Sequence, residues 1–160
     1  MSLAGKLNSA MCELEIAIEL NPNFAPAYLG IGGVLSLAGR YREAIDVLDV
    51  AIGLSPQDPM LWTMENMRAL SHLELGEFDR AVEYGKLACR HPNSVPWPYL
   101  ILVSALSNLD REDEAREARD TLFERWPEFS VSRFSRTVPF APATTPHWRA
   151  GLCRAGLSIA

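Results

Sequence analysis

Between Pro22 and Pro56 the apolar positions fall into two runs with helical spacing. From Ala25 to Leu37, Tyr28, Ile31, Gly32 and Leu35 recur three and four residues apart, which is one face of an amphipathic helix, and Gly39 stops it. A second run follows at once through Tyr41, Ala44, Ile45, Leu48, Ala51 and Ile52. It ends at Pro56, whose fixed φ and missing N–H oppose further helix. The unit is a helical hairpin. Gly32, Ala44 and Ala51 mark where helices must approach closely, while Tyr28, Leu35, Tyr41 and Leu48 supply the bulk that fills between them.

The pattern recurs along the chain. Ala17 to Pro22 reads Ala-Ile-Glu-Leu-Asn-Pro, Ala51 to Pro56 reads Ala-Ile-Gly-Leu-Ser-Pro, and Leu122 to Pro127 reads Leu-Phe-Glu-Arg-Trp-Pro. Pro56 follows Pro22 by 34 residues, Pro92 follows Pro56 by 36, and Pro127 follows Pro92 by 35. A nearly fixed period of this size is the signature of stacked helical hairpins.

These residues resemble the tetratricopeptide repeat family. Tyr28, Ile31, Gly32 and Leu35 match the first helix of its pattern, and Gly39, Tyr41, Ala44, Leu48, Ala51 and Pro56 match the turn, second helix and closing proline. The next unit keeps Gly76, Phe78, Ala81, Ala88 and Pro92, but aligning from Trp62 and from Gly76 disagrees by three residues, which predicts a first helix about one turn longer. The third keeps Tyr99, Leu102, Leu106, Ala115 and Pro127, with Asp110 in the glycine position, where Asp tolerates left-handed geometry. Val103 stands where a small residue is usual, so looser or shifted packing is expected there. Upstream, Ala10, Leu14, Ala17, Leu20 and Pro22 match the second helix of a further unit.

The expected architecture is an all-α, right-handed solenoid. Residues 1–22 form the second helix of a truncated repeat, 23–56, 57–92 and 93–127 are three full repeats, and 128–160 is a capping segment of the same domain. The start inside a repeat suggests a piece of a longer protein, with Met1 to Leu3 a cloning remnant. Met11, Leu14 and Ile18 are then expected to dock on a second copy, giving a homodimer through the exposed N-terminal helix. In the tail, Phe129 to Ser135 is expected to form a short helix, interrupted at Val138-Pro139-Phe140. Thr145, Pro146 and Gly156 read as the cap, first position and terminator of a final helix whose stripe is Trp148 and Leu152.

Charge is uneven. All twenty acidic residues precede Phe129, with eleven of the basic ones, so the chain up to Ser130 carries a net −9, and the four arginines Arg133, Arg136, Arg149 and Arg154 make the tail +4. This fits a basic cap on acidic repeats; direct nucleic-acid contact is not expected of a chain whose pI is about 5.2. No run approaches a membrane span and no secretory signal opens the sequence, so a cytoplasmic setting is expected. Cys12, Cys89 and Cys153 are too scattered for a disulfide framework or a zinc site.

Catalytic motifs are missing. His72, His91 and His147 lack a ligand partner at helical spacing, and Gly30, Gly32 and Gly33 lack the preceding strand and following Lys-Ser/Thr of a phosphate loop. Asp110 to Glu117 reads as a solvated turn and an acidic helix start. No metal, no cofactor and no enzymatic activity are expected.

The resemblance implies that the first helix of each repeat lines a concave groove. The matching positions are Leu29, Gly33 and Leu37, then Asn66, Met67, Leu70 and Glu74, then Trp97, Leu100, Ile101, Ser104 and Asn108. This mostly apolar lining suits an amphipathic helix or apolar peptide rather than a terminal carboxylate, unless neighbouring helices or the tail already fill it. Arg68 stands at an apolar position, so it snorkels to water, pairs with Glu65 or another acid, or meets an anionic ligand group. Trp97, between Pro96 and Pro98, is either a binding anchor or a plug between the second and third repeats. The expected function is a non-catalytic protein-interaction scaffold, with a small-molecule sensor built around Asn66, Arg68, His72 and Glu74 as the alternative. The tail resembles the C-terminus of bacterial proteins that carry such repeats behind an adenylate-cyclase or a winged-helix transcription-activator domain, which implies a regulatory segment of a larger signalling or transcription protein.

Overall fold

The computed structural model describes residues 3–138, 145–157 and 159. They form the helices α1 (Leu3–Leu20), α2 (Ala25–Leu37), α3 (Tyr41–Leu54), α4 (Leu61–Glu74), α5 (Phe78–Arg90), α6 (Pro96–Asn108), α7 (Glu112–Arg125), α8 (Val131–Thr137) and α9 (Pro146–Arg154), with no strand among the described residues. The expected helical hairpins are α2 with α3, α4 with α5 and α6 with α7. Met1 and the Pro139-Phe140 part of the expected tail interruption lie outside the described residues.

Each hairpin turns on one left-handed residue. Gly39 and Gly76 have φ of 76° and Asp110 has 56°, the conformation expected of the glycine position, and Asp110 is the only non-glycine with positive φ among the described residues. The bonds that close the helices are the same each time. Arg40, Glu77 and Arg111 donate their N–H to the carbonyls of Leu35, His72 and Leu106 at 2.9, 2.9 and 3.0 Å. The next helix then begins one residue later, so hairpin geometry is set by a single torsion rather than by a loop.

Of the three residues by which the second unit exceeds the first, one lies in the helix and two in the turn before it. α4 has 14 residues against 13 in α2, and the turn from Ser55 to Met60 has six against four before α2. Pro56 and Pro59 oppose helix there, and the Asp58 carboxylate accepts the Met60 N–H at 2.8 Å, which gives the backbone a local alternative to a further helical turn.

Close crossings fall at the small residues. A Cβ on Gly32 would stand 2.6 Å from Leu48 Cδ2, and Ala44 and Ala51 are fully buried. Val103, where looser packing is expected, is itself fully buried. The position that Leu48 fills on the first hairpin is Arg119 on the third, and that guanidinium reaches away to the Ala155 carbonyl at 3.3 Å, so no leucine competes with Val103. Met11, Leu14 and Ile18 face inward on Ile31, Leu35 and Ala44, so they are not the surface of a homodimer. Helical phase explains this, since the stripe that carries them is the one α1 needs to hold α2.

Polar side chains tie one repeat to the next. The Arg42 guanidinium on α3 donates to Glu77 at 2.8 Å, and Glu77 in turn holds Nδ1 of His72, whose ring stacks on Tyr84 at 5.2 Å. Burial is the main reason that His72 titrates below its ordinary value, outweighing Glu77, which favours the charged form. His72 therefore binds protons less readily folded than unfolded, and its contribution is present above pH 6.5 and is lost as pH falls from there through its lower folded-state pKa.

Two predictions follow from these contacts. Gly32→Ala is expected to destabilise by about 1–3 kcal/mol through overpacking against Leu48, whereas Gly33→Ala, whose Cβ meets nothing within 4 Å, should stabilise α2 by roughly 0.5–1 kcal/mol; urea denaturation of the two variants checks the opposite signs. Wild-type chain should lose stability as pH is lowered from 7.5 to about 5.5, and His72→Gln should lose less over the same range, as read by thermal denaturation.

Candidate functional site

The first helices line the inner side of the solenoid. α2, α4 and α6 pack on one another in succession, while the second helices α3, α5 and α7 are spread apart without comparable packing. A stack whose first helices are closer together than its second helices must curve towards the first, so the concave face carries residues of α2, α4 and α6.

Part of that face is covered by the chain's own tail. α9 lies on α6 and, more lightly, on α4. Trp148 and Leu152, the stripe expected for this helix, are buried in one cluster with Leu70, Leu100 and Ile101. Gly151 allows the close crossing, because a Cβ there would land on the Ser104 hydroxyl and carbonyl oxygens. Ser104 Oγ lies 3.0 Å from the Trp148 carbonyl, and Asn108 Nδ2 donates to the His147 carbonyl at 3.0 Å.

The start of α9 is held by a carboxylate from another repeat. Glu74 accepts the N–H of His147 at 3.0 Å and of Trp148 at 2.7 Å, and its side chain is 1% exposed. Thr145 occupies the N-cap position as the sequence suggests, with Pro146 next and Gly156 at φ 74° past the end, but its hydroxyl makes no capping bond. Glu74 does that work over 73 residues of sequence, placing a negative charge at the positive end of the helix. Desolvation pushes the Glu74 carboxyl up from its usual range, against the two backbone bonds and His147, which favour its charged form.

The arginines of the tail do not hold the cap. None of Arg133, Arg136, Arg149 and Arg154 forms an ion pair with a described residue, and the contacts that seat α9 are apolar or to backbone. The preceding short helix α8 starts two residues later than the sequence suggests, at Val131, because the Ser130 hydroxyl accepts the Arg133 N–H at 3.3 Å and caps it there. Its Phe134 ring lies 6.0 Å from Trp97.

The groove positions therefore divide. Glu74, Ser104 and Asn108 are engaged with α9, and Leu70, Leu100 and Ile101 are buried in the cluster that it joins. Leu29, Gly33 and Leu37 remain partly exposed on α2, with Met67 close to full burial and open space over Gly33. Trp97 is half-buried and packs against both the cluster of Leu48, Met64 and Met67 and the larger cluster of the third repeat, so it bridges the two cores.

Arg68 faces away from the groove. It lies 3.0 Å from Asp49 on α3, donates to the Tyr84 hydroxyl at 2.7 Å, and stacks over that ring at 3.9 Å, so its charge is balanced from within the fold. Asn66, Arg68, His72 and Glu74 do not converge. Arg68 and His72 flank Tyr84, Glu74 holds α9, and Asn66 is fully buried with neither side-chain polar atom bonded. His91 pairs with Glu65 at 2.9 Å. Burial pushes the Cys89 thiol up to about 12, which removes it as a nucleophile at neutral pH, and no group of acids, histidines and cysteines among the described residues is arranged to hold a metal. No helix among them is long and apolar enough to cross a membrane.

Sequence reasoning had no direct signal for the union of Glu74 with α9. The traces were a glycine in mid-helix at Gly151 and an acid in the last turn of α4, where the dipole disfavours one.

Known proteins give the same architecture. Residues 4–59 match the family model described as tetratricopeptide repeat. No curated protein matches the sequence. Among solved structures, YrrB, a tetratricopeptide-repeat protein with an unusual peptide-binding site, is similar with a TM-score of 0.64 and 22% identity, over 95% of this chain and 77% of that one. MamA of AMB-1 is similar with a TM-score of 0.66 and 18% identity, over 94% of this chain and 86% of that one. Residues 4–59 thus match the tetratricopeptide repeat model, and the whole chain shares the fold of these helical-repeat structures.

Proposed function

We propose that this chain is a non-catalytic protein-interaction scaffold that takes an amphipathic helix or apolar peptide along its concave face. The observation that carries this reading is α9 itself: an amphipathic helix seated on α6 and α4 by Trp148 and Leu152, with its N-terminus held by Glu74. A surface that accepts one such helix has the shape and polarity to accept another. The apolar lining continues past α9 onto Leu29, Leu37 and Met67, with room over Gly33. The similarity to YrrB, which has a peptide-binding site, supports the class of ligand.

The setting we infer is the cytoplasmic, regulatory C-terminal portion of a larger bacterial signalling or transcription-regulatory protein. The tail resemblance supports it, and the scaffold contacts protein rather than nucleic acid, because the repeats up to Ser130 carry a net −9.

Two measurements bear on this function. A panel of labelled synthetic amphipathic helical peptides should include members that bind wild-type chain by fluorescence polarisation, and Gly33→Phe should abolish that binding without lowering the unfolding temperature; retention of binding, or a panel with no binder, contradicts the groove reading. Glu74→Ala should release the start of α9 at a cost of about 1–2 kcal/mol, seen as faster proteolysis between α8 and α9 and a changed Trp148 emission.

A further inference from the structure

Gly39, Gly76 and Asp110 follow the three first helices at equivalent points, so residues counted back from them correspond. Two of these positions seat α9. The first, two residues before the left-handed one, is Glu74 on α4 and Asn108 on α6. Glu74 accepts the N–H groups of His147 and Trp148, and Asn108 donates to the His147 carbonyl at 3.0 Å, so both hold the end of a docked helix through its backbone. The second position, one turn earlier, is Ser104 on α6. There the docked helix must supply the small residue, because a Cβ on Gly151 would land on Ser104.

On α2 both features are reversed. The equivalent of Glu74 and Asn108 is Leu37, whose side chain neither donates nor accepts, so α2 cannot fix a helix end. The equivalent of Ser104 is Gly33, where a Cβ meets nothing within 4 Å, so the small residue here belongs to the groove. Leu29 and Leu37, one turn to either side of Gly33, are partly exposed, and Leu29 packs on the cluster that contains Met67. No residue of α2 is charged.

The seat on α2 thus continues the α6–α9 contact along the stack with the sizes exchanged. We propose that the partner helix is held by a leucine or phenylalanine from its middle turns, entering over Gly33 between Leu29 and Leu37. Granted the concave face as the peptide site, on which this rests, selection there is for a bulky apolar side chain inside a helix and not for a helix end or a terminal charge. A large side chain beside glycine buries its apolar surface, whereas alanine in the same place leaves a void. A charged one finds no partner on α2 and is excluded.

The probes are labelled, end-blocked amphipathic peptides of about five helical turns, identical except for alanine, leucine or phenylalanine at the central apolar position. Alanine serves as the small residue because it keeps helix propensity high. By fluorescence polarisation the full chain is expected to bind the leucine peptide about tenfold or more tightly than the alanine one. Gly33→Leu fills the gap, so it should weaken the leucine peptide about tenfold, leave the alanine peptide unchanged, and keep the wild-type helical circular dichroism. Gly33→Ala, a smaller filling, should fall between. Peptides that bind without preferring leucine to alanine overturn the inference and leave the groove reading standing. A leucine preference that survives Gly33→Leu overturns it as well, because it then reports general hydrophobicity. If no peptide of the set binds, the groove reading falls and the inference falls with it.

Discussion

Every helix here has an apolar stripe that it cannot bury alone, and the left-handed residue that ends each first helix decides what buries it. A single torsion at Gly39, Gly76 or Asp110 reverses the chain and delivers the second helix onto the first. The closing proline then ends that helix and returns the chain for the next. All further structure follows from repetition of this step, because each hairpin leaves one apolar flank that only the following hairpin can cover.

A stack built this way has two ends and one inner curve, and each needs its own solution. At the C-terminal end the chain folds back into its own curve: α9 enters at Gly151, where a side chain has no room, and is fixed at its start by Glu74 from the second repeat. This couples the last helix to a residue 73 positions back in sequence and covers α6, which has ten consecutive buried residues from Pro98 to Ser107. The inner curve over the first repeat is the part that stays accessible, and it is there that a partner helix finds apolar surface.

Much of this was legible in the residues. Spacing gave the hairpins, because helix length and phase are local properties, and Asp110 was legible as a glycine substitute because few residues tolerate positive φ. What failed was information held between segments. The three extra residues of the second unit were expected to lengthen its first helix, yet two of them join the turn, since counting fixes their number but not which side of Met60 they fall. Thr145 reads as a helix cap on its own sequence, yet its hydroxyl is idle because Glu74 reaches the same N–H groups. Arg68 is exceptional on its helix and ordinary in space, where Asp49 and Tyr84 wait for it on two neighbouring helices.

The central claim is that α9 is a seated part of the groove rather than a passing segment, and amide hydrogen exchange resolved to single residues tests it most directly. The amides of His147 and Trp148, bonded to Glu74, should exchange with protection comparable to that of α6 beneath them. Exchange of α9 at the rate of an unstructured peptide, with α6 still protected, would contradict it.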